Sequence, residues 1–255
     1  MNALIFDCDG VLADTERYGH LPAFNQTFRD YNLPVQWSEE EYGIKLKIAG
    51  GKERMASMLT PEFVAKAGLP TDADSQKTMI AEWHKRKSET YKQLIREGRL
   101  PGRPGVARIV REAKDAGWKL CVASTSAEES VRGVLEYVVG KEMAGEFLVL
   151  AGDIVPKKKP APDIYLLALE KLGLPADQCL VVEDSSNGLL AALAAGIRCV
   201  VTLSSYTWEE DMSGALLVVS DLGEPDAPMQ IVDNRSKANP GQYITLKDLE
   251  ACLQS

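Results

Sequence analysis

The stretch Ala3-Leu4-Ile5-Phe6-Asp7-Cys8-Asp9-Gly10-Val11 passes from four apolar residues straight into two carboxylates and a glycine. Side chains alternate along an extended chain, so Asp7 and Asp9 share one side of it. Like charges that close raise each other's pKa unless a cation lies between them. Gly10 permits a sharp turn and a close approach of backbone to ligand. Asp and Gly are also ordinary turn residues, so taken alone the stretch reads equally well as the end of a strand. Three later segments separate the two readings.

Apolar runs at 119–124, 147–151, 179–183, 199–203 and 216–219 follow the one at 3–6. They lack polar alternation, which marks strands covered on both faces, as in a parallel sheet. Helical patterns lie between them. Residues 106–116 carry Val106, Ile109, Val110 and Ala113 on one face and stop at Gly117; 162–172 stop at Gly173, and 186–195 at Gly196. Glycine just past a helix is a common stop signal. This alternation predicts a doubly wound α/β parallel sheet. Residues 221–242, rich in Pro, Asp, Asn and Gly, read as an irregular connection before a short last helix.

One segment breaks the rhythm. Residues 15–100 show helical patterns and no convincing strand, with Leu21, Phe24, Phe28 and Tyr31 forming one stripe and Trp83, Tyr91, Leu94 and Ile95 another. Pro101-Gly102-Arg103-Pro104-Gly105 marks the return. The expected organisation is an α/β unit from 1–14 and 101–255, interrupted by a helical unit at 15–100.

Bulk properties narrow the function. A chain of 255 residues, 45% hydrophobic, can bury one α/β core and a second small unit. A net charge of −8 disfavours nucleic acid as a partner. The five cysteines form no CxxC pair and suit buried thiols in a reducing compartment. Two histidines cannot build a histidine zinc site. No run approaches the ~18 apolar residues of a membrane span, and the first strand leaves no room for a signal peptide.

In open α/β sheets, ligands sit beyond the carboxyl ends of the strands. Four predicted strand ends carry polar groups there: Asp7 and Asp9; Ser124, Thr125 and Ser126; Lys157, Lys158 and Lys159 ahead of Pro160; Glu183 and Asp184. Acids, hydroxyls and a lysine at one rim suit a divalent cation and a phosphate. A carboxylate and a phosphate ester repel by about 4 kcal/mol at ~4 Å and an effective dielectric of about 20. Magnesium offsets that repulsion and prefers hard oxygen ligands, which Asp7 and Asp184 can supply. Asp7 can then serve as nucleophile and Asp9 as general acid–base. Ser124 can hydrogen-bond a phosphoryl oxygen, and Lys159 can neutralise developing charge. Each segment has a plainer reading. Ser124–Ser126 and Glu183-Asp184-Ser185 could cap helices, and Lys157 and Lys158 read as a solvated run.

Together the motifs Asp7-x-Asp9-Gly10, Ser124, Lys159-Pro160 and Glu183-Asp184 resemble those of the haloacid-dehalogenase-like (HAD) phosphohydrolases, in order and over essentially the whole chain. The resemblance implies a HAD-like Rossmannoid core with an inserted helical C1 cap. It further implies a phosphatase with Asp7 as nucleophile, Asp9 as acid–base, and magnesium held by Asp7, the Asp9 carbonyl and Asp184 with Glu183 contributing.

The helical segment should choose the substrate. Lys52 and Arg54 behind Gly50-Gly51 could hold an anion or belong to a solvated turn. Lys87 lies on the Trp83–Tyr91 stripe, where an apolar residue is expected; its stem either snorkels to water or faces the cleft. His20 reads as a cap or structural residue, or as part of the site. Glu16 could accept hydrogen bonds from sugar hydroxyls or stand in solvent. The segments Asp14-Thr15-Glu16, Gly50-Gly51-Lys52-Glu53-Arg54 and 157–165 look like the CbbY branch of the superfamily, itself similar to β-phosphoglucomutase. That likeness implies a phosphatase of a small-molecule sugar bisphosphate, xylulose-1,5-bisphosphate, an inhibitor of Rubisco. For such a substrate the candidate contacts are Glu16, His20, Gly50, Gly51, Lys52, Arg54, Lys87, Ser124, Thr125 and Lys159. The likeness also implies the chloroplast stroma, or alternatively a bacterial cytoplasm; the chain is expected to be a monomer. A β-phosphoglucomutase-like transferase and a non-catalytic binding module are the competing expectations.

Overall fold

The structure, a computed structural model, describes residues 1–48 and 50–255. The chain divides into two compact units: Met1–Asp14 with Leu100–Ser255, and Thr15–Arg99. The return to the first unit falls between Arg99 and Leu100.

The first unit is built on a seven-stranded sheet of β1 (Ala3–Phe6), β2 (Lys119–Ala123), β3 (Phe147–Leu150), β4 (Cys179–Glu183), β5 (Arg198–Thr202), β6 (Leu217–Val219) and β7 (Ile231–Asn234). Their order is β3-β2-β1-β4-β5-β6-β7. The first six are parallel, and β7 runs antiparallel to β6. Strand order therefore reverses between β1 and β4, the topological switch point at which doubly wound sheets bind ligands. Phe6 pairs with Val122 on one side and Val182 on the other, so the residues following β1 and β4 emerge side by side.

All four residues of β1 are fully buried, as the unbroken apolar run requires. Ala3 and Ile5 belong to a core cluster with Cys121, Val181, Tyr165 and Leu189; alternation sends Leu4 and Phe6 to the opposite face. Within the second unit, the helices are α1 (Leu21–Asp30), α2 (Glu39–Lys45), α3 (Gly51–Ala56), α4 (Pro61–Ala67) and α5 (Ala73–Arg96). The sheet unit adds α6 (Val106–Asp115), α7 (Glu128–Val139), α8 (Lys141–Ala144), α9 (Asp163–Leu172), α10 (Ser186–Ala194) and α11 (Leu246–Leu253). Helices α9 and α10 pack on one face of the sheet, while α6 packs on β2 and α11 on β4 and β5. Gly173 ends α9 in the left-handed conformation, φ +65°. All five cysteines are buried free thiols.

Two sequence expectations change here. The segment 221–242 is not wholly irregular, because it contains β7. Ile231 and Val232 of that strand are 42% and 48% exposed, so an edge strand shows no burial pattern to read. Nor do Ser124–Ser126 cap α7, whose N-cap is Ala127 with no side-chain hydrogen bond. Ser185 does cap α10, accepting from the Gly188 N–H at 3.2 Å.

In the helical unit, Phe24, Phe28, Trp37 and Tyr42 form a buried aromatic group, with Phe28 edge-on to Trp37 at 4.8 Å. Asn25 exchanges two hydrogen bonds with the Trp37 backbone, at 2.8 and 2.9 Å. That fixes α1 against the approach to α2. Tyr31, expected on the α1 stripe, caps the helix instead and is 40% exposed. Among the described residues of this unit there is no strand. No helix of the described chain is long and apolar enough to cross a membrane.

Candidate active site

The carboxyl ends of β1 and β4 bring three acids together. The Asp7 N–H donates to Val182 O at 2.9 Å, which continues the β1–β4 ladder one residue past the strand and sets Asp7 beside Glu183. Carboxylate oxygens of Asp7, Glu183 and Asp184 lie within 4.8 Å of one another, and all three residues are buried. Gly10, at φ +79°, backs onto this group: a Cβ there would run into the Asp184 carboxylate.

Lys159 reaches the cluster from the loop ahead of α9. Its Nζ donates to Asp7 Oδ1 at 2.6 Å, to Glu183 Oε1 at 2.6 Å and to Ala123 O at 3.0 Å. Burial pushes the Asp7 carboxyl up to about 7; Lys159 opposes that rise, and Glu183 and Asp9 add to it. Burial also pushes Asp184 well above the usual carboxylate range, with Glu183 and Asp7 contributing. Lys159 remains charged, because Asp7 and Glu183 outweigh its own burial. Three close acids with one bridging ammonium are short of positive charge, and every donor is a hard oxygen. That set fits a magnesium ion.

Asp9 is half-buried, with the Ser126 hydroxyl donating to its Oδ2. Ser124 is buried beside β3: its N–H donates to Leu150 O at 3.0 Å, and its Oγ accepts from the Ser126 N–H at 3.2 Å. Thr125 is half-buried. Lys157 and Lys158 are exposed, and Lys158 pairs with Asp153 at 2.8 Å, as a solvated run would.

Two further groups form within the helical unit. Glu16 accepts from the Tyr42 hydroxyl at 2.5 Å and lies 3.8 Å from Arg54 Nη1, so it is not a solvated first-turn acid. Arg54 also donates to Ile48 O at 3.0 Å. Lys87 does not snorkel: it is only 7% exposed. Its Nζ lies 2.7 Å from His20 Nδ1, 4.7 Å from the Phe24 ring centroid and 5.2 Å from that of Tyr91. Cation–π contact and a neutral imidazole acceptor replace water around this ammonium. Burial and then Lys87 drive the His20 pKa well below its usual value, so the ring is neutral and its Nδ1 can accept. Gly50 precedes α3 at φ +94°, Gly51 begins it, and a Cβ on Gly51 would press on His84. Lys52 is exposed.

Four contributors were not singled out from sequence. Ser126 was visible only as one of three hydroxyls. Tyr42 sits in an aromatic cluster, and Tyr165 has the periodicity of a core residue. Gly188 lies in the first turn of α10, where a Cβ would enter the Glu183 carboxylate. Gly188→Ala should therefore force that carboxylate off Lys159. The expected loss of stability is about 3 kcal/mol, the scale for unpairing a buried charge, read as the urea unfolding midpoint. An unchanged midpoint would show that Glu183 is not wedged there.

The fold and this cluster define a hydrolase class. A family model described as haloacid dehalogenase-like hydrolase matches residues 1–196, and the chain belongs to that family. It is similar to the CBBY-like protein of Arabidopsis thaliana, 47% identical over 228 residues, covering 88% of this chain and 70% of the relative. It is also similar to the protein CbbY of Cupriavidus necator, 42% identical over 233 residues, covering 90% and 89%. The crystal structure of CbbY from Rhodobacter sphaeroides in complex with phosphate aligns with a TM-score of 0.71 at 38% identity, covering 87% of this chain and 94% of that one. A point mutant of that protein, with the same coverage and TM-score, was crystallised in complex with xylulose-1,5-bisphosphate. By family and by these likenesses, the chain is a HAD-type phosphatase of the CbbY kind.

Proposed function

We propose that this enzyme removes the 1-phosphate of xylulose-1,5-bisphosphate, with magnesium, through an aspartyl-phosphate on Asp7. The observation that carries the chemistry is the meeting of Asp7, Lys159, Glu183 and Asp184 at the β1–β4 switch point. The substrate rests on likeness to CbbY, whose mutant is known with that bisphosphate. Met1–Asp14 with Leu100–Ser255 form the catalytic core, and Thr15–Arg99 form the cap.

Asp7, Asp184 and the Asp9 carbonyl, with Glu183 contributing, are the oxygens that would hold magnesium. Bound there, the ion supplies shielding between the attacking carboxylate and the anionic ester. Asp7 forms a P–O bond as the P–O bond to the sugar breaks, and Asp9 gives its proton to the departing oxygen. Asp9 then takes a proton from water; the hydroxyl attacks phosphorus and Asp7 departs as carboxylate. Ser124 donates to a phosphoryl oxygen, with Thr125 beside it, and Lys159 holds Asp7 in place while stabilising the charge that develops. Glu16, His20, Gly50, Gly51, Lys52, Arg54 and Lys87 make up the helical unit's share of substrate recognition, Lys52 and Arg54 for the second phosphate. The chain works as a monomer in this reading; likeness to a plant protein is consistent with the chloroplast stroma, and likeness to bacterial CbbY proteins with a bacterial cytoplasm as the alternative.

The test is a screen of phosphate release over sugar mono- and bisphosphates with magnesium, repeated with a chelator. Release from the bisphosphate that stops with chelator is expected. Conversion of a sugar phosphate with no net phosphate would instead identify a mutase. Lys52→Ala should raise KM for the bisphosphate about tenfold, roughly 1.4 kcal/mol, and leave a one-phosphate ester unchanged. Equal losses on both would remove Lys52 from recognition of the second phosphate.

A further inference from the structure

Tyr165 lies on α9 and is fully buried. Its hydroxyl donates to Glu183 Oε1 at 2.5 Å. The same oxygen accepts from Lys159 Nζ at 2.6 Å, and Nζ sits 4.9 Å from the Tyr165 ring centroid. An ammonium has three N–H donors, and Asp7 Oδ1, Glu183 Oε1 and Ala123 O match them one for one. The second Glu183 oxygen accepts from the Asp184 N–H at 3.1 Å. Glu183 is thus held from three directions, one of them a phenol that, among the described residues, hydrogen-bonds no other member of the cluster. A phenol beside a carboxylate is the donor of the pair.

We infer that Tyr165 is a positioning residue for phosphoryl transfer: by donating to Glu183 and lying under Lys159, it makes one ammonium bridge Glu183 and Asp7 instead of closing on Glu183 alone. The inference rests on the phosphatase chemistry proposed above. With the phenol absent, Glu183 Oε1 has one donor fewer, its charge is less dispersed, and its pull on Lys159 increases at the expense of Asp7. Asp7 then loses the hydrogen-bond donor that keeps its carboxylate aimed. Tyr165 has no exposed surface through which to touch substrate, so the effect falls on turnover and not on substrate binding.

The test is Tyr165→Phe, which keeps the ring and removes only the donor. With p-nitrophenyl phosphate and magnesium, kcat should fall about tenfold while KM stays within about twofold. In a Lys159→Arg background the same change should alter kcat by less than about twofold, because residues acting through one another are not additive. The same factor in both backgrounds would mean general damage and would overturn the proposal, as would an unchanged kcat. Crystal structures of the metal-free parent and variant give a readout independent of turnover. Lys159 Nζ should leave hydrogen-bond range of Asp7 Oδ1 in the variant alone; an unmoved Nζ overturns the inference. A parent that releases no phosphate would refute the phosphatase chemistry, and the two metal-free structures would still decide the role of Tyr165.

Discussion

Asp7→Asn should abolish phosphate release, by a factor of about a thousand or more, and leave the protein folded. The substitution keeps size and shape, so the β1–β4 ladder bond from the residue 7 N–H to Val182 O survives. What disappears is the anionic oxygen that must attack phosphorus; a neutral amide is too weak a nucleophile. The fold should gain, because Asp7 is a buried acid crowded by Glu183 and Asp9. Removing one of several close carboxylates relieves like-charge repulsion, although Lys159 loses a partner. Phosphate release and the urea midpoint, measured on one preparation, check both halves. Appreciable turnover by this variant would exclude Asp7 as nucleophile.

The second large effect is a dependence of stability on pH that magnesium removes. In the metal-free protein the Asp7 carboxyl is raised from 3.8 to about 7, and Asp184 is raised as well. A folded state that holds a proton more tightly than the unfolded state is favoured at low pH. The contribution is fully present below about pH 4 and is lost as pH rises through about 7. Three units on Asp7 correspond to about 4 kcal/mol. Surface acids with lowered pKa, such as Asp30, Asp72 and Asp211, carry the opposite sign, but they titrate below this window. The urea midpoint in chelator should therefore fall between pH 5 and pH 8. Saturating magnesium should abolish the fall, since a cation among the oxygens favours their ionised forms. Parallel pH profiles with and without magnesium would show that the three acids do not hold it, and Asp7→Asn should flatten the metal-free profile.

Both effects concern residues whose grouping was legible in the chain. Ala3–Phe6 and Cys179–Glu183 appear as strands with the limits their apolar runs suggest, because both faces of a central parallel strand are buried. Polar residues at their ends then had to lie at one rim. Strand β7 was not legible: it is an edge, its Ile231 and Val232 are half-exposed, and its place depends on pairing with β6 through an irregular register at Val218/Val219. Lys87 was legible as an anomaly on an apolar stripe, but its resolution needed His20, 67 residues away. Tyr165 gave no local sign. It keeps phase with Ala168 and Leu172 on a core face, and only the folded chain carries its hydroxyl to Glu183.

The most direct measurement is acid-quench mass spectrometry of the enzyme mixed with magnesium and xylulose-1,5-bisphosphate. A phosphoryl group should appear on the peptide carrying Asp7 and be absent from Asp7→Asn. Turnover with the phosphoryl group on another residue, or with none on the protein at any quench time, would contradict nucleophilic attack from the β1–β4 switch point.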